Sequence, residues 1–343
     1  MPPHPPNLLT PPQTITPQTA LLLSQKAPRI LSSPPSGSSL PWPLSLLFSP
    51  ENPSTWTIHE NLLLSSLRTG DDASARKALD RLTTRFGADN ERIVALRGIY
   101  EEAQAKTDKE LEALFHRYEK LLRDDPTNFA VRKRRIAVLK SLGRTSDAIT
   151  ALTVLLENSP TDVEAWAEAS ELYASQGALS QAIFCMEEVL VLVPNAWSAH
   201  AQLGTLHYLQ ATSSSPPNIS SLSTSLRYFS RALELNDSYL RGFYGLKLVS
   251  KSLIPLLSDS PTNTASSSSK RKDNKDKDRD AADDEDLPPP SLATVKKLEE
   301  LATSRLGEII RNYSSGRKGW TGYDEAEVIA ARELLDRDGQ VER

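Results

Sequence analysis

The chain has 343 residues, with 40 Lys+Arg against 44 Asp+Glu and a formal charge of −4, so nothing in its balance asks for nucleic acid. Thirteen of its 24 prolines fall in residues 1–50. Setting aside that stretch and the Ser/Lys/Asp-rich stretch 258–290 leaves about 260 residues to build a core. The single cysteine, Cys185, excludes an intramolecular disulfide and a Cys-rich metal knuckle, and favours a reducing compartment, cytosol or nucleus.

Residues 1–53 read as a disordered Pro/Ser-rich arm. A secretory signal needs a basic n-region where Pro2, Pro3, Pro5 and Pro6 stand. Residues 1–50 are acid-free and Ser-rich, as in a mitochondrial transit peptide, but Lys26 and Arg29 are their only Lys or Arg and the prolines oppose an amphipathic helix. Its apolar runs, Leu21–Leu23 and Leu44–Phe48, fall far short of the ~18 residues of a membrane span.

Self-similarity begins at the prolines. Pro126, Pro160 and Pro194 are spaced 34 residues apart, the tetratricopeptide period. In that frame Trp166, Tyr173, Gly177, Ala182 and Val189 take the repeat's consensus positions. Each position has a physical role. Two antiparallel helices approach to about 8–10 Å, so a small residue such as Ala148 or Ala182 sits where the backbones come nearest. The glycine ends helix A in a left-handed turn, and the proline stops helix B.

The preceding unit repeats the frame with Ile136, Leu139, Gly143, Ala148, Leu152 and Leu155, and an earlier one runs from Trp56 through Gly70, Ala75, Leu79 and Leu82 to Gly87. From Gly87 to Pro126 the spacing is 39, which places about five extra residues in a loop before a helix read from Leu114, Tyr118 and Leu121. A fifth unit opens at Trp197, Leu203, Gly204 and His207 and closes with Leu226, Phe229 and Ala232. Its 43-residue spacing to Asp237 places about nine extra residues in the Ser/Pro loop 211–222. The fold class is therefore all-α, a tetratricopeptide-repeat solenoid of about five helix pairs over residues 54–257.

Tyr239, Phe243, Leu246, Val249 and Leu253 continue at helical spacing over 238–256. Residues 258–290 alternate Lys and Asp with nothing to bury and read as a disordered charged linker. Residues 291–343 supply an amphipathic helix, marked by Leu292, Val295, Leu298, Leu306 and Ile309, and a last helix around 326–335, expected to cap the solenoid.

The search for chemistry ends without a reaction centre. His200 and His207 share a helix face but lack further zinc ligands, and Cys185 reads as a small core residue. There is no P-loop, GxGxxG, G-x-S-x-G or H-E-x-x-H, so neither an enzyme nor a cofactor or metal site is expected. Arg132–Arg135 is the densest basic cluster, but four consecutive helical residues point four ways, which suits a solvated or partner-facing cluster better than nucleic acid.

The candidate binding surface is the solenoid's concave groove, lined from helix A by Glu60, Arg68, Lys133, Ala137, Lys140, Glu164, Ala167, Glu171, Ala201 and Tyr208. Co-chaperones of this class clamp a C-terminal carboxylate with a Lys and two Asn. Here Lys133 is followed by Ala137 and Glu168, so two of the three clamp residues are absent.

Beyond the generic frame, several stretches resemble one family. They are Asp125-Pro126-Thr127-Asn128 with Arg132-Lys133-Arg134 and Ile136-Ala137; Glu164-Ala165-Trp166 with Glu171-Leu172-Tyr173; Phe184-Cys185 with Glu187-Glu188; and Arg227-Tyr228-Phe229 with Ala232-Leu233 and Leu235-Asn236. Over residues 56–250 the chain resembles subunit 2 of the endoplasmic reticulum membrane protein complex. The resemblance implies a cytosolic scaffold, peripheral on the endoplasmic reticulum, that cups cytosolic segments of membrane subunits and docks a second soluble subunit. The complex it implies inserts tail-anchored and multi-spanning proteins. The Pro-rich arm and the charged linker depart from the family pattern. A free-standing adaptor or co-chaperone that carries peptides is the competing reading.

Overall fold

A computed structural model describes residues 6–12, 15–32, 53–258, 288–320 and 322–341, and among them every regular element is an α-helix. The first eight are α1 (Pro17–Ser24), α2 (Ala27–Ser32), α3 (Pro53–Arg68), α4 (Asp72–Phe86), α5 (Glu91–Gln104), α6 (Asp108–Asp124), α7 (Phe129–Ser141) and α8 (Thr145–Asn158). They are followed by α9 (Val163–Ser175), α10 (Leu179–Leu192), α11 (Trp197–Thr212), α12 (Ile219–Leu235), α13 (Leu240–Ser258), α14 (Leu292–Ser314) and α15 (Glu325–Val341). The chain divides within α8 into two compact units, Met1–Ala151 and Leu152–Arg343. The pairs α3–α4 to α11–α12 are the five tetratricopeptide helix pairs of the 34-residue frame.

The turn chemistry follows the sequence. Gly143 and Gly177 have φ of +69° and +73°, and the residue after each closes back on helix A, Arg144 N to Leu139 O at 2.9 Å and Ala178 N to Tyr173 O at 3.0 Å. An L side chain rarely adopts that backbone, which is why glycine recurs at the spot. Ala75, Ala148 and Ala182 are fully buried at the helix crossings. At the last of these the backbones come close enough for Ser170 Oγ on α9 to donate to the Ala182 carbonyl at 2.7 Å.

The surplus residues lie elsewhere than expected. The second repeat's loops stay short, and most of its five go into helix: α6 has 17 residues against 14 in α8, and α5 has 14 against 13 in α7. Of the nine in the fifth unit, a third enters the loop. The rest lengthen α11 to 16 and α12 to 17 residues, against 13 and 14 in α9 and α10. Propagating an existing helix adds a hydrogen bond per residue, whereas a longer loop adds only chain entropy to be lost.

The arm is where the expectation fails. Over the described residues 6–12 and 15–32 it is ordered: Thr16 Oγ1 accepts from Thr19 N at 3.2 Å to cap α1, and Pro17 occupies the first turn, where a missing N–H costs nothing. Pro28 likewise falls in the first turn of α2. Prolines that would break a helix interior here start two short helices. Leu8, Leu23 and Ala27 are buried against Leu62 of α3, and Asn61 Nδ2 donates to Leu8 O at 2.7 Å. Residues 33–52 of the arm, and 259–287 of the expected linker, lie outside the described residues.

One arginine fastens this clasp. Arg81 of α4 donates to the carbonyls of Ile30 at 3.2 Å and Leu31 at 2.5 Å, filling acceptors that the end of α2 leaves open, and sends Nη1 to Nε2 of His59 at 3.2 Å. A guanidinium only donates, so His59 Nε2 is unprotonated and Nδ1–H donates to Thr55 O at 2.7 Å. Burial, with the Arg81 charge adding to it, holds the His59 imidazole below its ordinary range.

In the second unit α14 lies along α13. Lys247, only 2% exposed, donates to Glu299 Oε1 and Thr303 Oγ1, both at 2.7 Å. Around it pack Leu246, Val249, Leu253, Val295 and Ala302. Arg241 meets Glu327 at 2.6 Å and the Tyr323 hydroxyl donates to Ser238 O at 3.0 Å, which brings α15 onto the same helix.

Two outcomes follow. Arg81→Ala uncovers two carbonyls and costs about 1–3 kcal/mol, so its thermal midpoint falls by several degrees, as does that of the chain lacking residues 1–32. A midpoint unchanged in both would show that the clasp contributes nothing. Because the folded pKa of His59 lies below the unfolded value of about 6.5, its contribution is present above that pH and declines as pH falls. His59→Gln therefore flattens the acid side of the stability–pH curve, checked by urea titrations between about pH 5 and 7.5.

Candidate partner-binding surface

In the first unit, helix A of three successive pairs forms an open groove of 740 Å³ lined by Glu60 of α3, residues 89–92, Ala95, Leu96 and Ile99 at and along α5, and Ala130 of α7. Asn90 caps α5, its Oδ1 accepting from Arg92 N at 3.0 Å. The cap fixes where Arg92 leaves the helix, and its guanidinium grips Glu60 with two hydrogen bonds, at 2.7 and 3.0 Å. The floor is small or aliphatic and the rim carries Asp89 and Glu91.

The same device, an arginine reaching back 32 residues to a glutamate, recurs on the next helix A. Arg134 of α7 reaches back to Glu102 of α5, its Nε at 3.0 Å from Oε1, while the Tyr118 hydroxyl donates to that oxygen at 2.7 Å. Tyr118 is 2% exposed, and burial with the Glu102 charge pushes its phenol far above the ordinary range. Burial works against the Arg134 charge, but Glu102 outweighs it and holds the guanidinium above its usual value. The ring fits because residue 98 is glycine: a Cβ there would stand 2.1 Å from the phenol oxygen.

Arg135 pairs with Glu119 at 2.5 Å and lies over Phe115, and Lys133 lies over Phe129. Arg134 and Arg135 are thus turned onto their own chain, which corrects the solvated or partner-facing reading for these two residues. Of the expected groove residues in this unit, Glu60 lines the groove. Lys133, Ala137 and Lys140 are half-buried on α7, and Arg68 is exposed at the end of α3.

In the second unit Glu164 and Glu171 are exposed on α9, and Ala167 packs at the edge of the core formed by Ala182, Met186 and Leu203. Ala201, expected on the groove surface, is 4% exposed and belongs to the core with Leu226 and Phe229. Tyr208 does line a cavity, 210 Å³ in size, with Thr205, Phe229, Arg241, Tyr244, Gly245 and Leu248. The Phe229 ring enters because α13 has glycine at 245, where a Cβ would stand 2.2 Å from the ring.

Sequence reasoning missed Arg92, Ala95 and Ile99 because the 39-residue unit has no marker for its first helix. It missed Arg241, Tyr244 and Leu248 although residues 241, 244, 245 and 248 trace one helical stripe.

The other groups searched for chemistry are packed. His207 stacks on Tyr228 at 5.4 Å, and His200 Nε2 lies 2.9 Å from the Pro194 carbonyl. Cys185 is buried, and burial with the Glu188 charge pushes its thiol up to about 11. Among the described residues no cluster of His, Cys, Asp or Glu has the arrangement of a metal site, and no helix is long and apolar enough to cross a membrane.

Comparison with known proteins adds to this geometry. Residues 79–222 match the family described as the EMC2 TPR-like repeat domain. The chain is 35% identical over 195 residues to ER membrane protein complex subunit 2-A of Xenopus laevis, covering 57% of this chain and 62% of that one. It is 33% identical over 201 residues to TPR repeat protein oca3 of Schizosaccharomyces pombe, covering 59% and 68%. It is 27% identical over 193 residues to ER membrane protein complex subunit 2 of Saccharomyces cerevisiae, covering 53% and 64%. The chain thus spans a little under two thirds of the length of the Xenopus and budding-yeast relatives. Among solved structures, MamA from Desulfovibrio magneticus RS-1 superposes with a TM-score of 0.39 at 20% identity, over 53% of this chain and 96% of that one.

The polar knot on α5 has a measurable worth. Glu102→Ala leaves Arg134 and a buried phenol without their acceptor and costs about 2–4 kcal/mol, whereas Tyr118→Phe costs about 1 kcal/mol. Gly98→Ala is as severe as Glu102→Ala, since the new methyl displaces the phenol. Urea unfolding checks the order, and a Glu102→Ala cost equal to that of Tyr118→Phe would show the ion pair to be idle.

Proposed function

The chain belongs to the family of subunit 2 of the endoplasmic reticulum membrane protein complex, and from that membership we propose that it is a non-enzymatic scaffold of such a complex. It sits on the cytosolic face of the endoplasmic reticulum as a peripheral subunit, holding cytosolic segments of membrane-spanning subunits and a second soluble subunit. The complex so assembled inserts tail-anchored and multi-spanning proteins into the bilayer.

The observation that carries the scaffold reading is the groove of the first unit, where helix A of three successive pairs offers small and aliphatic side chains flanked by acids. An extended segment laid there touches several repeats at once, and charges on its flanks set its register. Lys133, Ala137 and Lys140 on α7, with Arg68 at the end of α3, supply its further contacts. In the second unit Glu164, Ala167, Glu171 and Tyr208 do the same for a separate segment. The 210 Å³ cavity beside Tyr208 is below the size of a cofactor site and suits one apolar side chain.

Tagged full-length chain purified in mild detergent co-purifies with membrane-spanning proteins and a soluble partner. Ala95→Arg, which plugs the groove, lowers their recovery about tenfold, and Lys133→Glu with Lys140→Glu weakens it at temperatures where the melt shows the variant folded. Recovery of the chain alone, with affinity for short peptide tails, would instead identify a free-standing adaptor.

A further inference from the structure

The clasp has an outer side that its packing leaves unused. On α1, Ala20 and Leu23 are buried in the first unit, while the adjacent Leu21 and Leu22 are each 50% exposed, and Leu9 ahead of them is 39% exposed. No acidic residue precedes Glu51 in the sequence, and the nearby Lys and Arg are Lys26, which reaches the Pro6 carbonyl, and the exposed Arg29.

Other apolar side chains are exposed too, but in different electrostatic company. Phe184 and Val191 share α10 with Glu187 and Glu188. Acids beside an apolar patch are repelled by anionic lipid, whereas an acid-free apolar patch with a neighbouring cation is attracted on both counts. The family match begins at residue 79, so the clasp lies outside it.

We propose that the outer side of the clasp, Leu9, Leu21 and Leu22 together with Arg29, rests on an anionic lipid surface. The leucines enter the headgroup boundary, and the guanidinium meets lipid phosphate or carboxylate. Three half-exposed leucines give a weak, reversible anchor that needs the electrostatic contribution to hold. The contact goes beyond the scaffold reading, which uses none of these four residues.

Flotation of the purified full-length chain with phosphatidylcholine vesicles, with and without phosphatidylserine, tests it. The chain floats with the phosphatidylserine vesicles and far less with the neutral ones. Leu21→Ser with Leu22→Ser lowers binding about tenfold, and Arg29→Glu lowers it about fivefold. Leu22→Trp, an interfacial aromatic, raises binding and so supplies a gain that loss of folding cannot imitate. Absence of flotation with either vesicle, or binding indifferent to all three changes while the melts stay unchanged, overturns the proposal. Co-purification with complex subunits, being a separate measurement, then still stands or falls by itself.

Discussion

A tetratricopeptide helix pair is apolar on both of its broad sides, so no pair is stable with a side bare to water. The elements flanking the repeats answer to that constraint. In the first unit, no repeat precedes α3 among the described residues, and the clasp of α1 and α2 buries Leu8, Leu23 and Ala27 against its Leu62. In the second, no repeat follows α13 among the described residues, and α14 supplies Val295 and Ala302 to the core it shares with Val249 and Leu253.

Apolar cover alone does not fix position, because leucines tolerate sliding. Each cover is therefore pinned by a polar contact that tolerates none. Arg81 ties the end of α2 to α4 and to His59, and Lys247 ties α14 to α13 through Glu299 and Thr303. Burying a lysine is costly, and the gain from its ion pair barely offsets the desolvation. What it adds is register, since a shift of one helical turn would leave the charge unpaired. Arg134 plays the same part between α7 and α5. The groove of the first unit is floored by Ala95, Leu96 and Ile99, with Arg92 and acids at its rim.

The parts of this fold that were legible in the sequence are those where one residue type has one physical use. Gly143 and Gly177 mark left-handed turns, Ala148 and Ala182 mark close crossings, and the spacing of Pro126, Pro160 and Pro194 gives the period. Proline was the misleading letter, because Pro17 and Pro28 start helices by the same fixed φ that would end them a turn later. Of the linings of the groove and the cavity, Glu60 and Tyr208 were legible from helix-A spacing. Ala201 was not, because a small residue suits a groove wall and a core equally, and only the packing of Phe229 decides between them.

Hydrogen exchange of the intact chain tests the central claim most directly. If covered ends are what the repeats require, the amides at the centres of α3 and α13 exchange as slowly as those of α9 and α10, because opening them needs the cover to leave first. Fast exchange in α3 or α13, with α9 and α10 protected, would show that the repeats stand without their covers and would contradict the account.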